Sequence, residues 1–461
     1  MYDILVILVC LGLLIGLAYR GGNIVLLAPA TAILAVILSG AGGTVLAAYS
    51  QIFMTATGGF IVAYFPLFLL GAVFGKLMDV TGSARVLAER IVRWLGAQRA
   101  ILAVILSCAA MTYGGVSLFV VAFAVYPIAV RLFRQANLPR RLMPATIALG
   151  SFTFTMSALP GAPAIQNAIP MPFFGTTPFA APGLGLIAAA VMFVAGWRWL
   201  EWRAQRIGGG FDGSGTATAP YETVESAGPH IVLAALPLLL VLALNALFTW
   251  LVIPAMDTAY LALPLYGETT VEEVRGIWSV IAALTLSVLV LIALNFRQFA
   301  SLVPALDNGA HNALLPIFNT ASLVGFGAVV ASLSGFALIT ERLLGWGDGA
   351  PLVSLAVASA FLAGLTGSAS GGMSIALTAL GDSYLQLAEA TGISPELLHR
   401  VTALATGSLD TLPHNGAVIT LLSICGLTHR QSYGDLAMVG IVFPVLALVV
   451  VIVLGTLFGS F

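Results

Sequence analysis

Long stretches of this chain carry no Asp, Glu, Lys or Arg at all. The runs 21–75, 100–130, 142–197, 231–256, 276–296 and 349–381 are uncharged. A soluble domain places a charge at about one residue in four, whereas one bilayer crossing needs about 20 apolar residues. The longer runs must therefore hold two passes each. Charged residues make up 8% of the chain and hydrophobic ones 60%, which leaves no solvated shell around a soluble core. The apolar runs are continuous rather than alternating, and this excludes a β-barrel. The fold class is all-α and polytopic. Ile4 to Ala18 has the length of a signal-peptide core. No basic segment precedes it and no clear cleavage site follows, so it is expected to persist as a first helix.

The net charge of −1 offers nucleic acid no general attraction. Cys10, Cys108 and Cys425 lie apart in apolar context and read as packing residues, and no metal or cofactor is expected. Residues 204–229 are rich in Gly, Ser, Thr and Pro and read as a solvated linker between two halves, 1–203 and 230–461. The halves echo each other. Gly71-Ala72-Val73 recurs as Gly327-Ala328-Val329, and Glu89-Arg90 with Trp94 recurs as Glu341-Arg342 with Trp346. Gly150-Ser151 recurs as Gly407-Ser408, and Leu159-Pro160 as Leu412-Pro413. Matches in one order at nearly one offset point to two copies of one helical unit.

Charge orients the copies. Lys76 is the only lysine, so arginine carries the topology signal. Arg131, Arg134, Arg140 and Arg141 crowd the loop before Gly150, whereas the loop before Gly407 carries Asp382, Glu389 and Glu396 and no arginine until Arg400. The positive-inside rule puts the first loop in the cytoplasm and lets the second face outward. It also places Arg198, Arg203 and Arg206 inside and the stretch from Asp257 to Glu273 outside. The repeats are then inverted, with both termini extracytoplasmic.

Inverted-repeat transporters bind substrate where helices break near the midplane. Two pairs of Gly/Pro-interrupted segments occupy matching places here. The first pair is Tyr113-Gly114-Gly115-Val116-Ser117 with Thr366-Gly367-Ser368-Ala369-Ser370-Gly371-Gly372. Each sits within a charge-free run long enough for a re-entrant hairpin. The second pair runs from Ser157 through Pro160 to Pro163, and from Asp410 and Thr411 through Pro413 and His414 to Asn415 and Gly416. Gln166 and Asn167 follow the first of these breaks closely. Hydroxyls and helix N-terminal amides there can hold a small anion with no arginine. A Gly-xxx-Gly spacing such as Gly367 to Gly371 equally serves helix packing, but four motifs in two symmetric pairs favour a binding site. Asp410 and His414 are the ionisable residues of an otherwise apolar stretch. Such groups are costly in a bilayer and usually functional, so both are candidates for carrying a coupled proton. A neutral histidine bonded to a carbonyl is the plainer reading of His414.

At Gly71–Gly96, Ala158–Asn167, Gly371–Gly381 and Ala405–Gly426 the chain resembles the gluconate permease (GntP) family of the ion transporter superfamily. The resemblance implies proton-coupled uptake of small organic anions across the inner membrane, by two inverted units with re-entrant hairpins. It further implies a homodimer with an elevator-type transport domain. Gluconate permeases carry a glutamate in the first hairpin and a His-Gly…Pro-Pro-His-Pro stretch at the first break. This chain reads Tyr-Gly-Gly-Val-Ser and Ser-Ala-Leu-Pro-Gly-Ala-Pro there. The plainer pocket suits a short hydroxy acid, and this version resembles the branch linked to 3-hydroxybutyrate. Gluconate or another sugar acid is the alternative, as is sodium in place of the proton. The rival classes are an intramembrane enzyme, for which no HExxH or GxSxG motif is present, and an anion channel.

Overall fold

The apolar runs become helices because a backbone surrounded by lipid must satisfy its own N–H and C=O groups. The computed structural model describes residues 2–20, 22–208, 210–211, 229–296, 302–338, 350–413 and 415–461, and among these no strand occurs. The linker residues 212–228, the Glu341-Arg342 and Trp346 repeat and His414 lie outside the described residues.

The first half contains α1 (Tyr2–Tyr19), α2 (Ile24–Leu38) and a long span α3 (Gly42–Val80). A surface helix α4 (Ser83–Leu95) follows, then α5 (Ala100–Tyr113), α6 (Leu118–Gln135), α7 (Met143–Ser151) and α8 (Pro182–Ile207). The second half contains α9 (Ile231–Ala255), α10 (Val271–Asn295), α11 (Leu302–Ala331), α12 (Pro351–Thr366) and α13 (Ala369–Thr391). It ends with α14 (Pro395–Leu409), α15 (Gly416–Cys425) and α16 (His429–Phe458). Among the described residues six helices are long and apolar enough to cross a bilayer. Several of the others become hairpin arms or halves of broken helices, which explains why runs with room for two passes do not all divide into full-length spans.

The packing repeats between the halves. α1 packs on α2 as α9 packs on α10, and α2 meets α11 as α10 meets α3. The hairpin arm α5 lies on α7 as α12 lies on α14. α3 packs along α11, and α8 along α16, so the corresponding helices of the two halves pair at the centre and at one flank.

Contacts at the helix ends fix direction. At one end Arg140 donates to Cys425 O at 2.6 Å, Ser432 to Arg141 O at 2.6 Å, and Arg203 to Asp435 at 2.7 Å. The start of α7, the ends of α8 and α15 and the start of α16 therefore meet there. At the other end Gly183 N donates to Phe461 O at 2.7 Å, and Ala181 N to Glu396 at 3.5 Å. The start of α8 and the start of α14 lie there. α8 is 26 residues long, roughly 39 Å, so these are opposite ends. α7 and α14 thus run in opposite directions, as inverted copies must.

Small residues let the hairpins close. A Cβ on Gly372 would collide with the Ala363 backbone across the second hairpin. Gly372→Ala should therefore destabilise the fold by about 1–3 kcal/mol, the cost of overpacking a tight contact. A thermal melt of the purified variant reads this directly, and an unchanged midpoint would show that the arms can separate freely.

Candidate functional site

The two breaks form because proline and glycine stop the helices inside protein rather than at its surface. The first lies between Ser151 and Ile165, where Pro160 and Pro163 remove donors and Gly161 adopts φ of 76°. The second lies between Leu409 and Gly416, where Asn415 caps α15 by accepting from Ala417 N and Val418 N. They are neighbours: a Cβ on Gly407 would sit 3.0 Å from Ser157 Cβ.

Each hairpin tip is tied to the break of its own half. Tyr113 Oη donates to Pro160 O at 2.6 Å, and Asn415 Nδ2 donates to Gly367 O at 2.9 Å. Gly115, with φ of 95°, turns the first tip, and a side chain there would press on Pro163. Gly114 leaves room only for Leu238. At the second tip Ser368 caps α13 by accepting from Gly371 N at 3.1 Å. Its hydroxyl lies 3.3 Å from Ser370, which in turn lies 3.5 Å from Thr320 of α11. Thr366 bonds backbone carbonyls within its own turn.

The centre of the arrangement is a residue that sequence reasoning treated only as a topology marker. Arg400 is fully buried. It donates to Ala180 O at 2.8 and 3.2 Å, to Ser157 O at 3.0 Å and to Asn167 Oδ1 at 3.3 Å. No carboxylate lies within ion-pair distance of it among the described residues. Asn167 Nδ2 donates to Ala162 O and Pro178 O, which turns Oδ1 toward both Arg400 and His399. His399 is also fully buried. Its Nε2 must be the donor to Asn167 Oδ1, at 3.2 Å, and its Nδ1 lies 2.7 Å from the Thr176 hydroxyl. Arg400 supplies the fixed charge of the cluster.

Two side-chain oxygens at or beside the breaks have no hydrogen-bond partner among the described residues. Gln166 Oε1 and Asp410 Oδ1 are buried without a hydrogen bond. Ser117 stands at the start of α6 without a side-chain capping bond. The Asp410 carboxyl faces the backbone N–H groups of Ala369, at the start of α13, and of Thr411. Unpartnered buried polar groups cost stability unless something else uses them. The remaining candidates divide. Ser157, Pro160 and Asn167 gather around Arg400 and Tyr113, while Ser368, Ser370 and Asn415 gather at the second tip. Thr411 turns away, donating to Gly440 O at 2.8 Å on α16.

The chain is 47% identical over 450 residues to the uncharacterized transporter YxjC of Bacillus subtilis (strain 168), covering 94% of this chain and 95% of that protein. It belongs to the YxjC transporter family. It is thus a multi-pass membrane protein of a transporter family, and no protein-family model matches it. Among solved structures it is similar to MtrF of Neisseria gonorrhoeae, described as illuminating a class of antimetabolite efflux pumps. The TM-score is 0.55 at 13% identity, over 92% of this chain and 85% of that one. At that identity the likeness concerns the fold. Gln166 Oε1, Asp410 Oδ1 and the buried Arg400 guanidinium lie at or beside the breaks that follow α7 and α14.

Proposed function

We propose that the protein is a secondary active transporter that imports a small organic anion together with a proton, the substrate being a short hydroxy acid such as 3-hydroxybutyrate. The observation that carries this reading is Arg400. A guanidinium fully enclosed in protein is expensive without a paired charge, and here it hydrogen-bonds only carbonyl and amide oxygens, while Glu396, one turn earlier on α14, makes no ion pair with it. A substrate carboxylate supplies the missing charge. Ser117 and Gln166 then have a hydroxyl and carboxylate to bond, and the aliphatic part of a short hydroxy acid suits the small, largely apolar surroundings.

Asp410 is the proton carrier in this scheme, with His414 as its proposed companion. The resemblance to gluconate permeases supports the same class of cargo and coupling, and supports a homodimer with an elevator motion. The arginine-bearing end faces the cytoplasm under the positive-inside rule, and the membrane is the cytoplasmic one. Orientation has its own test. Cysteines placed at Gln135 and at Thr391, both exposed, in a background lacking Cys10, Cys108 and Cys425, should react oppositely with an impermeant thiol reagent applied to cells. Labelling of both from outside contradicts inversion across the membrane.

Uptake of labelled 3-hydroxybutyrate into proteoliposomes, driven by an imposed inward proton gradient, tests the function. Concentrative, saturable uptake that competes with other short hydroxy acids is the expected result. Non-saturable flux would indicate a channel, and a requirement for a sodium gradient would move the coupling to sodium.

A further inference from the structure

The transport scheme makes no use of the surface helix α4. Its inner face buries Ser83, Ala84, Leu87 and Ala88, and it packs on α5, the first arm of the first hairpin. Its outer face and the turn after it expose Arg90, Arg93, Trp94 and Arg99, with Trp94 80% exposed. The acids nearby are already matched: Glu89 lies 3.8 Å from Arg131, and Asp79 lies 3.2 Å from Lys76. No ion pair is made by Arg90, Arg93 or Arg99 among the described residues. The Glu89–Arg131 pair also sets α4 at the arginine-bearing end of the molecule, where α3 emerges from its long apolar span.

We infer that this face is a docking surface for anionic phospholipid headgroups of the leaflet at that end. An exposed indole beside cations on an amphipathic helix has the chemistry of the membrane interface. The ring sits at headgroup depth, and the guanidinium groups meet phosphate. Charge complementarity selects the lipid. Each basic side chain near a membrane surface favours an anionic lipid over a zwitterionic one by a factor of about five. With three arginines free of carboxylates, the enrichment around α4 should exceed that of a single contact. Because α4 packs directly on α5, a lipid bound here also touches the element that carries Tyr113 and the first hairpin tip.

The test uses the full chain in vesicles of phosphatidylcholine mixed with phosphatidylglycerol, with one or the other lipid brominated in its acyl chains. The fluorescence of Trp94 is isolated as the difference between the protein and Trp94→Phe. Brominated phosphatidylglycerol should quench this component more than about five-fold more effectively than brominated phosphatidylcholine at equal content. The preference should vanish in the triple variant Arg90→Gln, Arg93→Gln, Arg99→Gln, and should shrink as salt is raised. Free inorganic phosphate should not reproduce it. Equal quenching by the two lipids overturns the proposal, because Trp94 would then sit in a bilayer without headgroup selection. Absence of quenching overturns it too, since α4 would then not lie in the interface.

Discussion

Arg400→Gln should abolish concentrative uptake of 3-hydroxybutyrate while the protein still inserts and purifies as a monodisperse species. Arg400 donates to Ala180 O, Ser157 O and Asn167 Oδ1 from a fully buried position, and glutamine retains neither the charge nor the reach to all of them. A hydrogen bond to a charged group is worth about 1.5–3 kcal/mol, so losing the charge should weaken a carboxylate's binding by roughly ten- to a hundred-fold. Arg400→Lys separates two roles. It keeps the charge but not the planar fork, so it should retain part of the carboxylate affinity if charge is what the substrate feels. A thermal-shift comparison of 3-hydroxybutyrate with its neutral amide gives the second readout. The carboxylate should stabilise the parent protein by mass action and the amide should not. If Arg400→Gln and Arg400→Lys are equally impaired, the arginine only staples the first break to α14. If Arg400→Gln transports normally, the anion reading is wrong.

Much of the arrangement was legible because membrane helices advertise their breaks. Pro160, Pro163 and Pro413 sit in runs that otherwise propagate as helix, and glycine beside them marks irregular backbone, so both breaks stand where the sequence places them. Gly71 and Gly327 recur at nearly the offset of the other repeats, and the helices that carry them, α3 and α11, pack together. Arg400 was hidden by the rule that exposed the topology. Counting arginines to assign loop sides treats each as a surface residue, and Arg400 follows Glu396 as though it closed an acidic loop. The available signal was its place in α14, five residues inside Pro395 and flanked by Leu397, Leu398 and Val401, a register that buries it. Side-chain direction was equally illegible at Thr411. Its neighbours in sequence suggest the site, yet its hydroxyl bonds Gly440 O on α16, because a break in a helix sends successive residues to different partners.

Asp410→Asn should eliminate uptake against a concentration gradient while leaving exchange of internal for external substrate. Asp410 ends α14 at the second break, and its Oδ1 is enclosed without a hydrogen-bond partner among the described residues. The N–H groups of Ala369 and Thr411 face the carboxyl. In the proposed scheme this carboxyl takes a proton on one side of the membrane and releases it on the other, as the hairpin tip and the break change their surroundings. Asparagine keeps the size and one acceptor but cannot exchange a proton, so the loaded carrier still moves while the coupling disappears. In the parent protein uptake should rise as external pH falls and collapse with a protonophore. The variant's residual exchange should respond to neither. The comparison is made in proteoliposomes, first with an inward proton gradient and no sodium, then with the gradients reversed. Concentrative uptake by Asp410→Asn at the parent rate would remove Asp410 from the proton path. A parent protein that ignores pH and needs sodium would instead make the carboxylate and the open carbonyls of the break cation ligands, the other use to which such backbone is put.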